Sequence, residues 1–166
     1  MAGKVFAVET TKTPDSPALY RDMARTIDRL HRRFMDVLRL EMTRLGVEDL
    51  SPVQLMMLLT IGDDELSVRD LIERGYYLGS NASYNLKQLV EAGYVDRAAS
   101  ARDRRSARLR LSDRGRALRD RIQGMEEGHV ETLAADPADL ETTCRTLRRV
   151  ERAWTDMVRY EGAGWG

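Results

Sequence analysis

At Gly93 the rhythm of apolar residues changes. Before it, Ala82, Leu86, Leu89 and Val90 recur at steps of three and four, and after it Leu109 and Leu111 alternate with Arg108 and Arg110. The first spacing gathers side chains on one face of a helix, and the second places them on one side of a strand. A helix closed by Gly93, then two short strands over 94–98 and 107–111 joined by a loop over 100–106, follows from those positions. Few arrangements accommodate that order in so short a stretch.

The residues upstream narrow it further. Ser67 is placed to cap a short helix that buries Val68, Leu71 and Ile72. Arg74 to Gly79 then reads as a turn, and Ser80 as the cap of the next helix, which runs to about Ala92. The face of that helix away from its apolar side carries Asn81, Tyr84, Asn85 and Gln88. Two helices joined by a turn and followed by a hairpin make a helix-turn-helix with a wing. Ahead of it, Ser51-Pro52-Val53-Gln54 is a capping-box start, with Leu55, Leu58, Leu59 and Met56 facing inward, and Gly62 with Asp63-Asp64-Glu65 is its stop.

Long helices flank this lobe. Leu19, Met23, Ile27, Leu30, Phe34, Val37, Leu38 and Met42 form one stripe between Ala18 and about Leu45. Ser112 caps a fifth helix with Leu118, Ile122, Met125, Val130 and Leu133 as its stripe. Gly124 and Gly128 weaken it by about 1 kcal/mol each, so a bend or fray near them is expected. Pro137 opens the last helix, with Leu140, Cys144, Leu147, Val150, Trp154 and Met157 or Val158 inward. The expected fold is mainly α with a small β-hairpin. Its expected parts are a lead-in over 1–16, a winged lobe over 49–116, and helical dimerisation segments over 17–48 and 117–166.

Apolar stripes of that length exceed what so small a lobe covers, and a second copy is the natural cover. A two-fold pair would set two recognition helices about 34 Å apart, one turn of duplex.

Charge bears on the partner. The chain has 27 basic and 27 acidic residues among 166, a balance that by itself argues against nucleic acid. The distribution is uneven. Between Arg97 and Arg110 six arginines meet the single acid Asp103, a local excess of five. Amides and hydroxyls on a helix suit base edges in the major groove, and an arginine loop suits phosphates and the minor groove. Candidate DNA contacts are therefore Ser80, Asn81, Ser83, Tyr84, Asn85, Lys87 and Gln88 on the second helix, with Arg97, Arg102, Arg104 and Arg105 on the wing. Ser67 and Arg69, at the head of the preceding helix, are candidates for the phosphate backbone. Asp103 is read as the acid that positions a neighbouring wing arginine.

Other chemistries find less support. The single cysteine, Cys144, excludes an intrachain disulfide and suits a reducing cytoplasm, and its place on an apolar stripe suggests a buried thiol. Two histidines and one cysteine, widely spaced, offer no metal site, and no cofactor is expected. No Ser/His/acid set or phosphate-cradling glycine loop supports an enzyme. The remaining alternative is a winged-helix protein-interaction module that grips an acidic protein with the same hairpin.

Gly93-Tyr94-Val95, then Asp103-Arg104-Arg105-Ser106, then Leu109-Arg110-Leu111-Ser112-Asp113-Arg114-Gly115 resemble the strand, wing and helix opening of the MarR family. The resemblance extends from about Leu19 to Trp154. The segment from Gly75 to Leu86 further resembles an alphaproteobacterial, LdtR-like branch of that family. The resemblance implies a homodimer on palindromic double-stranded DNA. It also implies repression relieved by a small aromatic or phenolic effector bound where the helical arms meet the lobe. His31, Arg32 and Thr43 on the first long helix are candidates to line such a pocket. One departure is that the recognition helix carries Lys87 as its only base.

Overall fold

The computed structural model describes residues 15–99 and 107–160. Helix α1 (Ser16–Arg44) is followed by α2 (Pro52–Ile61), strand β1 (Leu66–Ser67), α3 (Val68–Gly75) and α4 (Gly79–Glu91). Strands β2 (Val95–Ala99) and β3 (Ala107–Leu111) come next, then α5 (Asp113–Gln123), α6 (Glu126–Leu133) and α7 (Pro137–Tyr160). The described residues fall into one unit through Arg119 and a second from Asp120.

Local chemistry sets the boundaries of the first unit. The Ser51 hydroxyl accepts from the Gln54 backbone N–H, and the Gln54 side chain accepts from the Ser51 N–H at 2.7 Å, so two orphan donors of α2 are satisfied at once. Ser67 does the same for α3 with Asp70 as its partner. Gly93 follows α4 with φ at +74°, a left-handed conformation that glycine adopts without a Cβ penalty. Ser80 does not cap α4. The helix begins two residues earlier than a Ser80 cap would set, with Leu78 at the N-cap and no side-chain cap bond, after a turn in which Tyr76 takes φ +52°.

The sheet has three strands, in the order β1-β3-β2, rather than a hairpin alone. Leu66 faces Leu109 and Ser67 faces Arg108, while β2 pairs with β3 from Val95↔Leu111 to Ala99↔Ala107. Alternation then sends Leu109 and Leu111 into the core and leaves Arg110 outside.

That core is formed by Leu55, Met57, Leu58 and Ile61 of α2, Leu71 of α3, Ala82, Leu86 and Leu89 of α4, and Leu66, Val95, Leu109 and Leu111 of the sheet. Met57 takes the inward place that the spacing assigned to Met56 and Leu59, which are half-buried, as are Val68 and Ile72. A helix with this sheet on one side and other helices on the other has no single buried stripe, so periodicity misplaces the fourth apolar residue. Leu38 and Met42, near the C-terminal end of α1, are buried too. Leu19, Leu30 and Phe34 on the same helix stay exposed.

Gly115 explains the end of the motif after the wing. Ser112 caps α5 by accepting from the Gly115 N–H at 3.1 Å, and its hydroxyl donates to the Gly93 carbonyl at 2.7 Å. A Cβ on Gly115 would lie 2.1 Å from the Tyr94 carbonyl oxygen. Only glycine lets α5 start that close to the wing.

In the second unit the expected single helix is divided in two. Gly124 and Met125 separate α5 from α6, at the bend the glycines suggested. Val130 and Leu133 are exposed, α6 and α7 bury no residue, and Leu147, Met157 and Val158 are exposed. Cys144 is likewise exposed, which corrects the expectation of a buried thiol. Its stripe is apolar, yet α7 buries none of its described residues.

Candidate nucleic-acid interface

The surface of interest is the outer side of α3 and α4 with the base of the wing. The inner face of α4 is fixed by Ala82, Leu86 and Leu89, all buried, so the opposite face is turned out. Ser80, Asn81, Ser83, Tyr84 and Lys87 are exposed, and Asn85 and Gln88 are half-buried at its flanks. Several polar groups are engaged with the helix itself. The Ser83 hydroxyl donates to the Gly79 carbonyl and the Asn85 amide to the Asn81 carbonyl, each at 2.9 Å. Gln88 donates to Glu91 at 3.2 Å, and Lys87 lies 3.7 Å from the same carboxylate. These are exposed, single contacts, of the kind worth less than about 1 kcal/mol. A base edge or phosphate can displace them at little cost.

The head of α3 is built differently. The Ser67 hydroxyl both donates to Asp70 at 2.8 Å and accepts from its N–H, so its one O–H is already engaged at the cap. Those hydrogen bonds, from the hydroxyl first and the backbone N–H second, hold the Asp70 carboxyl below its ordinary pKa. Arg69 projects into solvent and is held by Glu73 at 2.8 Å. That bond, with the carboxylate's charge, raises its already high pKa.

At the wing, Arg97 is exposed on β2. Arg108 lies 3.8 Å from Glu65, and Arg110 lies 3.4 Å from Asp96 across the strands. The basic excess counted along the sequence is thus partly offset by Asp96, just outside the counted window, and by Glu65, distant in sequence but paired with Arg108 in space. Arg102, Asp103, Arg104 and Arg105 lie outside the described residues.

Two features that the sequence reading passed over hold this surface in shape. Each residue of the acidic run Asp63-Asp64-Glu65 pairs with an arginine from a different element: Asp63 with Arg119 of α5, Asp64 with Arg74 of α3 at 2.8 Å, and Glu65 with Arg108 of β3. Arg119 is the most enclosed of these bases, its side chain 10% exposed. Beside the wing, Asp49 accepts from the Tyr94 hydroxyl at 2.9 Å and from Arg114 at 2.7 Å. Burial first, and the Asp49 hydrogen bond second, push the Tyr94 phenol above its ordinary pKa, so it stays a donor. Spacing alone gives no sign of such long-range pairs, although an acidic triplet beside a glycine stop is a visible hint.

The effector candidates are not gathered by α1. His31, Arg32 and Thr43 are all exposed, Arg32 is held by both oxygens of Asp28, and the Thr43 hydroxyl donates to the Arg39 carbonyl. Thr43 lies about 18 Å along the helix from His31. Among the described residues no group of His, Cys, Asp and Glu is arranged to hold a metal ion, and no helix is long and apolar enough to cross a membrane.

Together these features define a winged helix-turn-helix lobe carried with long helices on either side in sequence. Residues 48–106 match the MarR family model. The chain is 48% identical over 149 residues to the exopolysaccharide II synthesis transcriptional activator ExpG of Rhizobium meliloti, covering 88% of this chain and 77% of that protein. The protein belongs to the MarR family of transcriptional regulators.

Solved structures agree on the fold. BldR of Sulfolobus solfataricus superposes with a TM-score of 0.71 at 17% identity, over 84% of this chain and 99% of that one. A cysteine-to-serine mutant of MarR from E. coli complexed with operator DNA gives 0.66 at 20% identity, over 82% and 98%. FabT of Streptococcus pneumoniae in complex with DNA gives 0.63 at 20% identity, over 81% and 99%.

Proposed function

We propose that this protein is a dimeric, sequence-specific DNA-binding regulator that sets α4 into the major groove of each half of a palindromic operator. The observation that carries the reading is the division of α4 into a buried face of Ala82, Leu86 and Leu89 and an outer face of Asn81, Ser83, Tyr84, Asn85, Lys87 and Gln88. The inner face needs the lobe. The outer one has no structural task that requires amides and an aromatic ring. Arg97, Arg102, Arg104 and Arg105 would grip the flanking backbone and minor groove with Asp103 positioning them, and Arg69 would meet a phosphate near the head of α3. The two solved relatives held with DNA share this fold, which supports the same use of it.

Leu19, Leu30 and Phe34 on α1, and Leu147, Met157 and Val158 on α7, support a second copy as the cover for both stripes. In this reading 17–48 and 117–166 form the dimer region, 49–116 forms the reading lobe, and the cytoplasm is where it works.

The sign of regulation is where the family resemblance and the relative diverge. Resemblance implies repression relieved by an aromatic or phenolic effector, whereas the 48% identical relative is named an activator. Both outcomes use one binding mode and differ in where the operator lies relative to the promoter. A promoter fusion measured with and without the gene decides between them.

Binding itself is tested by fluorescence anisotropy on duplex DNA across a salt series. Affinity is expected to fall steeply with salt as counterions are released. Replacing Arg104 and Arg105 by alanine should reduce the log–log slope by about two. If no duplex is retained, and an acidic protein partner is retained through the same arginines, the protein-interaction reading takes its place.

A further inference from the structure

We infer that the half-site read by α4 is built of A·T pairs, with Leu78 and Tyr84 covering thymine methyl groups. This rests on the DNA-binding function proposed above. Leu78, at the N-cap of α4, is 72% exposed, and Tyr84, nearly two turns on, is 65% exposed. A leucine at an N-cap forgoes the side-chain hydrogen bond that serine or asparagine would supply, and none is made here. Left in water, both side chains retain the gain that apolar contact would bring.

The thymine methyl is the apolar group that base edges offer in the major groove. Beside it, in the same base pair, lie the adenine N6 and N7 that an asparagine or glutamine amide reads with two hydrogen bonds. Asn81 stands one turn from both Leu78 and Tyr84, Gln88 one turn beyond Tyr84 and Asn85 one turn beyond Asn81, and they supply those amides. Guanine is read by arginine or lysine. The helix has no arginine, and its one lysine, Lys87, is drawn to Glu91. A protein partner would want a continuous apolar patch, but Ser80, Asn81 and Ser83 interrupt this one with polar groups that suit base edges.

The test uses the full-length chain to select from random duplexes one to two helical turns long. Each thymine of the recovered half-site is then replaced by deoxyuridine, which keeps the pairing and removes only the methyl. Selection should return an A·T core, and each covered methyl should cost roughly fourfold in affinity when removed. Tyr84→Ala and Leu78→Ala, at exposed positions and checked for unchanged thermal unfolding, should each become indifferent to one of the substitutions. A G·C core, or equal affinity of the natural protein for thymine and deoxyuridine duplexes, would overturn the inference while leaving DNA binding intact. Recovery of no duplex at all would overturn both.

Discussion

Arg114 stacks on Tyr94, its guanidinium carbon 4.1 Å from the ring centroid. The same guanidinium donates to Asp49 at 2.7 Å and to the Ala92 carbonyl at 2.5 Å. One side chain at the start of α5 thus ties the end of α4, the first residues of the wing and the loop after α1.

Arg114→Ala should lower stability in urea by about 1 kcal/mol, a figure kept small because the ion pair is half exposed. Arg114→Lys should recover only part of it, since an ammonium cannot bond two acceptors in a fork while lying flat on a ring. Equal midpoints for all three proteins would show that the clamp is idle.

Gly115→Ala should be far more damaging. The new methyl would meet a backbone carbonyl, which cannot rotate away as a side chain would. A loss of about 2 kcal/mol or more is expected from the forced shift of α5 against the wing. Thermal unfolding checks it, and an unchanged midpoint would mean that α5 moves freely there.

Asp70 gives the fold an acid-sensitive element. Its folded-state pKa is depressed below the ordinary aspartate value of 3.8 by the Ser67 hydrogen bonds. The stabilisation is therefore complete above that value and is lost as pH falls through the lower, folded one. Urea midpoints taken from pH 5 down to pH 2 should fall less steeply for Asp70→Asn than for the natural protein. Parallel curves would rule the cap out as a contributor.

Glu73 restrains Arg69. Glu73→Gln should release that guanidinium for phosphate, raising affinity for duplex DNA and steepening the log–log salt slope by about one. A slope and affinity unchanged from the natural protein would place Arg69 away from the backbone.

Leu30→Asp combined with Phe34→Asp puts two charges on the exposed stripe of α1. Sedimentation should then show a single chain where the natural protein shows a pair, without loss of the lobe's core, which uses the other end of that helix. Persistence of the pair would move the interface elsewhere.

Much of this lobe was legible because its signals are local. The Ser51–Gln54 box, the glycine stops at Gly62 and Gly93, and the alternation at Leu109 and Leu111 each act within a few residues. Strand β1 has two residues, too few to show any period, and it exists because β3 offers it a partner. Ser80 had the chemistry of a cap, but the helix after the left-handed Tyr76 starts two residues early, capped at Leu78. Cys144 lies on the apolar stripe of a helix that buries none of its described residues, so its exposure was invisible to a rule that equates stripe with burial. On α4 the outward face was readable from spacing alone, whereas Glu91 as the restraint on Lys87, and Glu73 as the restraint on Arg69 of α3, were not.

Ser67 is at once the last residue of β1, laid against Arg108 of the wing, and the cap of α3. The hairpin and the reading unit therefore meet in one shared peptide rather than across a hinge. A chimera that borrows its wing from a relative would have to import Leu66 and Ser67 as well, or the transplanted loop would arrive at the wrong tilt. Changes in hairpin length and in the helix it accompanies are accordingly tied to drift together.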